Sequence, residues 1–294
     1  MKLISFGEII WDVYPDKATL GGAPLNFAAH AALQGCDVKL VSCVGDDELG
    51  KKALGMVESL GVSTEYVGTS HNAPSGRCNV TLDEKFHPTY EIEKMSSYDL
   101  IEYPHVSNHQ FDVIAFGTLA LRYENNRAIL ERMIASGNYS EIFTDLNIRT
   151  PFYSVESIEF CFKHATIVKI SDDDVQLIKE LCYKNSSDER DFAIKLAKTH
   201  PQIKLVIITK GAKGAICYDC KKQEFISCPA VETEVISTVG AGDSFGATFL
   251  VNYMKTGDLS HSMKLASKVS AFVVSRMGAI PEDMKDLLKK EQLI

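Results

Sequence analysis

Short apolar runs of strand length alternate with amphipathic helical stretches through most of this chain, which predicts an α/β protein built on a mostly parallel sheet with helices on both faces. Two glycine motifs directly after strand-like segments support the same class, because open α/β sheets bind ligands beyond the carboxyl ends of their strands. The strand-length runs are residues 38–44, 111–116, 141–144, 165–170 and 205–209, and the helical patterns between and around them are residues 48–60, 126–135, 172–182 and 188–198.

The N-terminal stretch 3–10 reads as a strand, followed by Gly21-Gly22-Ala23-Pro24-Leu25-Asn26 and an alanine-rich run that reads as a buried helix. Pro24 suits a first helical turn, where its missing amide has no partner to lose. Residues 76–82 and 87–92 break the alternation and read as a strand pair around 83–86. A hairpin is expected from 214–218 and 223–226, and residues 245–254 read as a helix entered from a glycine-rich loop.

Composition narrows the class of protein. A chain of 294 residues with 45% hydrophobic content can bury a substantial core, and no shift in composition divides it, so one domain over 1–294 is expected. No apolar run is long enough to span a bilayer and the start carries no cleavage pattern, which makes the cytoplasm the default location. A net charge of -8 argues against broad nucleic-acid binding, since that needs clustered cations. The eight cysteines are scattered through mostly apolar segments, as reduced thiols are. Cys217 and Cys220 have knuckle spacing without a paired second knuckle, so no zinc site is expected.

The run Ser237-Thr238-Val239-Gly240-Ala241-Gly242-Asp243-Ser244-Phe245 carries the most chemistry. Gly240, Ala241 and Gly242 let main-chain amides approach an anion at a helix N-terminus. Asp243 falls in the first turn, where the dipole favours a carboxylate, and it can accept a proton from an attacking hydroxyl. At the other motif, Gly21 and Gly22 allow close approach to a polar ligand, Asn26 offers donors and acceptors, and Asp12 offers a bidentate acceptor. Each segment alone also fits an ordinary turn entering a helix.

Together, in this order and separation, the two motifs resemble the signature regions of the ribokinase-like, or PfkB, carbohydrate kinases, and the resemblance covers essentially the whole chain. The segments Gly7-Glu8-Ile9-Ile10-Trp11-Asp12, Phe116-Gly117-Thr118-Leu119-Ala120-Leu121-Arg122 and Asp145-Leu146-Asn147-Ile148-Arg149 look most like the fructokinase branch. The resemblance implies a three-layer α/β/α fold with a small β-lid from segments near 11–20 and 75–100, which in the family often pairs with a second subunit's lid. It implies transfer of the ATP γ-phosphoryl, with Mg²⁺, to a sugar hydroxyl, fructose being the leading acceptor. Asp243 is then the general base and the Gly240, Ala241 and Gly242 amides the anion hole. Asp12, Gly21, Gly22, Asn26 and Arg149 fall at the sugar and transferred phosphate, an exposed Arg149 paired with Asp145 being the competing reading, with Arg122 a weaker candidate. Thr209, Lys210, Gly211, Lys213 and Gly214 form the nucleotide loop, and residues 266–275 match a helix flanking the adenine.

Two positions depart from the family pattern. Where the family commonly has Asn-x-x-Glu, this chain has Ser171 and Asp174, so Asp174 is expected to reach Mg²⁺ only indirectly; the pair equally fits a helix cap and its first-turn acid. Ser237 replaces the usual Asp that in some members helps hold a potassium ion, which makes a potassium site doubtful. A 2-keto-3-deoxygluconate kinase or ribokinase would keep every catalytic residue named here, and a noncatalytic sugar-binding regulator is the remote alternative.

Overall fold

The structure, a computed structural model, describes residues 1–14, 17–82, 88–104 and 111–294. The first part of the chain runs β1 (Lys2–Phe6), β2 (Ile10–Val13), β3 (Ala18–Gly21), α1 (Ala23–Leu33), β4 (Asp37–Gly45), α2 (Glu48–Ser59), β5 (Ser63–Ser70), β6 (Gly76–Leu82) and β7 (Pro88–Ile92). It continues through β8 (Val113–Phe116), α3 (Glu124–Ser136), β9 (Glu141–Asp145), α4 (Val155–His164), β10 (Ile167–Ser171), α5 (Asp172–Leu181), α6 (Glu189–Thr199) and β11 (Leu205–Thr209). The last part holds β12 (Ala215–Asp219), β13 (Glu224–Cys228), α7 (Ala241–Thr256), α8 (Leu259–Val274) and α9 (Met284–Lys290).

A nine-stranded sheet has the order β13-β12-β11-β10-β9-β8-β1-β4-β5 among the described residues. From β5 to β11 every pairing is parallel, and the β12–β13 hairpin closes that edge antiparallel. Period-two alternation sorts the strand side chains into two cores. Ile4, Phe6, Val206 and Ile208 face a core completed by Leu130, Ile158, Ile178 and Leu196 of α3 to α6. Leu3, Leu205 and Ile207 face the other core, with Leu25, Val57, Phe249 and Met263 of α1, α2, α7 and α8. This is the three-layer α/β/α arrangement the sequence predicts.

Residues 3–10 do not form one strand. β1 ends at Phe6, the chain turns at Gly7 (φ 150°), and β2 leaves the large sheet to begin a second one. That sheet has the order β3-β2-β6-β7, with β2 antiparallel to β3 and parallel to β6. It joins the segments near 11–20 and 75–100, whereas the expected turn 83–86 and His87 lie outside the described residues.

Candidate active site

The motifs meet at the carboxyl ends of the parallel strands. Asp145 ends β9, Ser171 ends β10 and Thr209 ends β11, with Ser171 directly paired to Thr209. Helix α7 starts beside them. Gly240 caps it in the left-handed conformation (φ 78°), and a Cβ there would lie 2.6 Å from Ala279, so both backbone shape and space exclude other residues. The Ala241 amide closes the turn on the Thr238 carbonyl at 3.3 Å, leaving the Gly242 and Asp243 amides as the first helical N–H groups without an intramolecular acceptor.

Asp243 stands in the first turn of α7, and Asn26 Nδ2 donates to its Oδ2 at 2.8 Å across 217 residues of sequence. Burial pushes the Asp243 carboxyl up to about 6 and the Asp145 charge adds to it, while the Asn26 bond and the charges of Lys169 and Arg149 pull the other way. Such a group is ionised at neutral pH yet basic enough to take a proton. Asn26 is itself buried, and its Oδ1 has no protein partner. A buried carbonyl oxygen with nothing to accept from is a ready acceptor for a ligand hydroxyl.

The remaining residues expected on the sugar side surround this pair. A Cβ on Gly21 would lie 3.5 Å from Asp12 Oδ2, and Gly22 caps α1. Burial raises the Asp12 carboxyl, with the Arg149 charge and the Cys78 thiol opposing it. Arg149 is exposed and its charge acts on Glu8, Asp12 and Asp243. Asp145 is not its partner. Asp145 instead accepts from Lys169 Nζ at 2.7 Å, inside the sheet. Arg122 serves the small sheet's base: it donates to the Glu93 carbonyl, just past β7, at 3.1 Å and grips Asp99 through Nε at 2.8 Å and Nη2 at 2.6 Å, with the rings of Tyr98 and Phe152 about its guanidinium.

Ser171 Oγ accepts the Asp174 amide at 3.0 Å and thereby caps α5. Asp174 also accepts the Ile148 amide at 3.4 Å; burial raises its carboxyl, and the charges of Asp145 and Lys169 reach it. It therefore faces the site while serving the helix cap. The segment after β11 forms a turn in which Lys210 N donates to the Gly214 carbonyl at 2.7 Å and Lys210 Nζ pairs with Glu189 at 3.0 Å. Thr209 Oγ1 reaches the Ile170 carbonyl at 3.4 Å, Gly211 opens the turn and Lys213 is exposed. Ser237 Oγ accepts the Val239 amide at 3.3 Å, so an uncharged hydroxyl occupied in its own turn stands at this position. Among the described residues no group of three or more His, Cys, Asp or Glu side chains is arranged to hold a metal ion.

The profile of the pfkB family carbohydrate kinases matches residues 5–286. The chain belongs to this family. It is 26% identical to a probable fructokinase-5 of Arabidopsis thaliana over 95% of this chain and 93% of that protein. Its fold is similar to that of a fructokinase of Xylella fastidiosa solved with bound ATP, with a TM-score of 0.85 over 99% of both chains at 18% identity. A double mutant of the Vibrio cholerae fructokinase, solved with fructose, ADP and a potassium ion, matches with a TM-score of 0.81 at 20% identity over 95% of this chain and 93% of that one. This carbohydrate kinase has no helix, among its described residues, long and apolar enough to cross a membrane.

Two residues of the site escaped the reading of the sequence. Glu8 is buried beneath the Gly21–Gly22 loop, where it accepts the Ala23 amide at 3.3 Å. Burial raises its carboxyl to about 7, with the Arg149 charge opposing and the Asp243 charge reinforcing the rise. Lys169 sits in the apolar run of β10. A charged residue inside such a run is the one signal that pointed to it.

Proposed function

We propose that this pfkB-family kinase is a fructokinase that transfers the γ-phosphoryl group of ATP directly to the 6-hydroxyl of fructose, without a covalent phosphoenzyme. The observation that carries the reading is the Asn26–Asp243 bond, which ties the raised-pKa carboxylate of the first turn of α7, beside two free amides, to the start of α1. Asp243 takes the proton of the attacking hydroxyl, and Asn26 holds its carboxylate oriented while offering Oδ1 to another sugar hydroxyl. Asp12 and the Gly21–Gly22 loop hold the rest of the sugar. The Gly240, Gly242 and Asp243 amides meet the transferred phosphoryl oxygens, a preorganised arrangement that needs no rearrangement during the reaction.

Arg149, free of an Asp145 partner, closes over the sugar or the phosphate. The turn from Thr209 to Gly214 cradles the nucleotide, and Lys213 reaches its phosphates. Mg²⁺ arriving with ATP supplies charge neutralisation at the phosphate oxygens. Asp174 fits that ion as a single hard oxygen ligand acting through water. The four-stranded sheet covers the sugar and keeps water from competing as acceptor, and its edge strands β3 and β7 suit pairing with a second copy.

The fructose assignment rests on the likeness to curated fructokinases. ADP formation and product analysis across fructose, ribose, 2-keto-3-deoxygluconate, glucose and tagatose test it. Fructose 6-phosphate as the preferred product supports the assignment, and preference for another sugar overturns it while leaving the kinase chemistry in place.

A further inference from the structure

Lys169 carries a buried charge for which the sheet alone gives no reason. It is 3% exposed, and among the described residues its ammonium makes one hydrogen bond, to Asp145 Oδ2. An ammonium has three donors, and a single carboxylate oxygen leaves two of them unused in a place where desolvation is unfavourable. Helix α7 is shaped around this side chain. A Cβ on Gly242 would lie 3.2 Å from Lys169 Nζ, and one on Gly246 would lie 3.4 Å from its Cδ and 3.2 Å from the Phe143 ring. Both glycines have ordinary helical backbones, so conformation does not require them, and glycine inside a helix costs about 1 kcal/mol relative to alanine. Four residues apart, they share one face of α7 and form a groove along which the lysine stem runs to the first turn.

The groove delivers the ammonium to Gly242, whose amide is free, and beside Asp243 and Asp174, both of which feel its charge. A lysine needed only to neutralise Asp145 has no use for a channel to the helix N-terminus. We propose that Lys169 is a further catalytic residue, whose ammonium contacts the transferring phosphoryl group on the Gly242 and Asp243 amides and offsets the charge on its oxygens. The role rests on the phosphoryl-transfer reading of this site. It also explains why the third position of the Gly240-Ala241-Gly242 motif is glycine: the residue makes room for a cation.

Calorimetry with ADP alone, and with ADP plus fluoroaluminate as a mimic of the transferring group, tests this in the presence of Mg²⁺ and fructose. Lys169→Met keeps the stem in its groove and removes the charge. The expected result is a loss of about 30-fold in affinity for the fluoroaluminate complex, the worth of a hydrogen bond to a charged group. Affinity for ADP alone stays close to wild type, and kcat falls by roughly 10²-fold with little change in the KM for sugar. Equal affinity for the mimic, or parallel loss of both ligands, overturns the proposal. Lys169→Gln keeps a bond to Asp145 without the charge and carries the same expectation if the methionine variant does not fold. Failure of the wild-type protein to bind the mimic with any accepted sugar instead defeats the reading of the site itself, and the proposal with it.

Discussion

The rate of sugar phosphorylation should fall in acid with a midpoint near the raised pKa of Asp243. That carboxyl sits at about 6 against an ordinary 3.8. At pH 5, about one carboxyl in ten is then ionised, whereas an unperturbed aspartate is more than roughly nine-tenths ionised. The expected kcat/KM at pH 5 is therefore about tenfold below its plateau. Asn26→Ala removes the bond that holds the ionised form. Such a bond is worth about 1.5 kcal/mol, or roughly one pKa unit, so the acid limb moves up by about that much after normalising to each plateau. Glu8 titrates nearby at about 7 and interacts with Asp243, so the wild-type limb belongs to the pair. Glu8→Gln reduces it to a single-proton limb. Sugar-dependent ADP release measured at constant ionic strength across the acid range reports all three profiles. A wild-type profile that stays flat through pH 5, or a limb that Asn26→Ala leaves in place, refutes the reasoning.

Glu8→Gln also changes stability in a pH-dependent way. Native Glu8 keeps its proton between its ordinary value of 4.5 and about 7, where the unfolded chain has lost it, so this group's contribution declines as pH rises through that window. The variant should gain up to about 3 kcal/mol over wild type at pH 8 and almost nothing at pH 4, by urea unfolding; an equal effect at both values contradicts the assignment. Arg122→Met leaves Asp99 buried without its partner and should cost about 3–5 kcal/mol, and a loss well under 1 kcal/mol in urea unfolding would show that the ion pair is not what fixes the small sheet's base. With Ser237 in place of a carboxylate, activity in potassium and in tetramethylammonium buffers should be similar; strong activation by potassium refutes that inference.

The sequence made the glycine-rich entry to α7 legible because its constraint is local: small residues followed by an apolar helical run are visible in one short window. The large sheet was legible for the same reason, since each strand is a compact apolar run. What stayed hidden depends on register and on long-range pairing. Lys169 acquires its meaning from standing opposite Asp145 in the β9–β10 pairing and under two glycines of α7. Glu8 looked like part of a continuous strand because nothing local shows that the chain turns at Gly7. Arg149 and Asp145, four residues apart, suggested a pair until the sheet supplied Lys169 as the nearer cation. Ser171 and Asp174 kept both of their readings, since the structure shows the cap and also turns Asp174 toward the site.

The most direct test of the central claim is single-turnover transfer from ATP to fructose by the wild-type enzyme and by Asp243→Asn. The variant keeps the size of the side chain and removes its ability to accept a proton. Loss of about two to four orders of magnitude in the transfer rate, with ATP and fructose still bound, is the predicted result. A variant that transfers phosphate at close to the wild-type rate contradicts the assignment of Asp243 as the base.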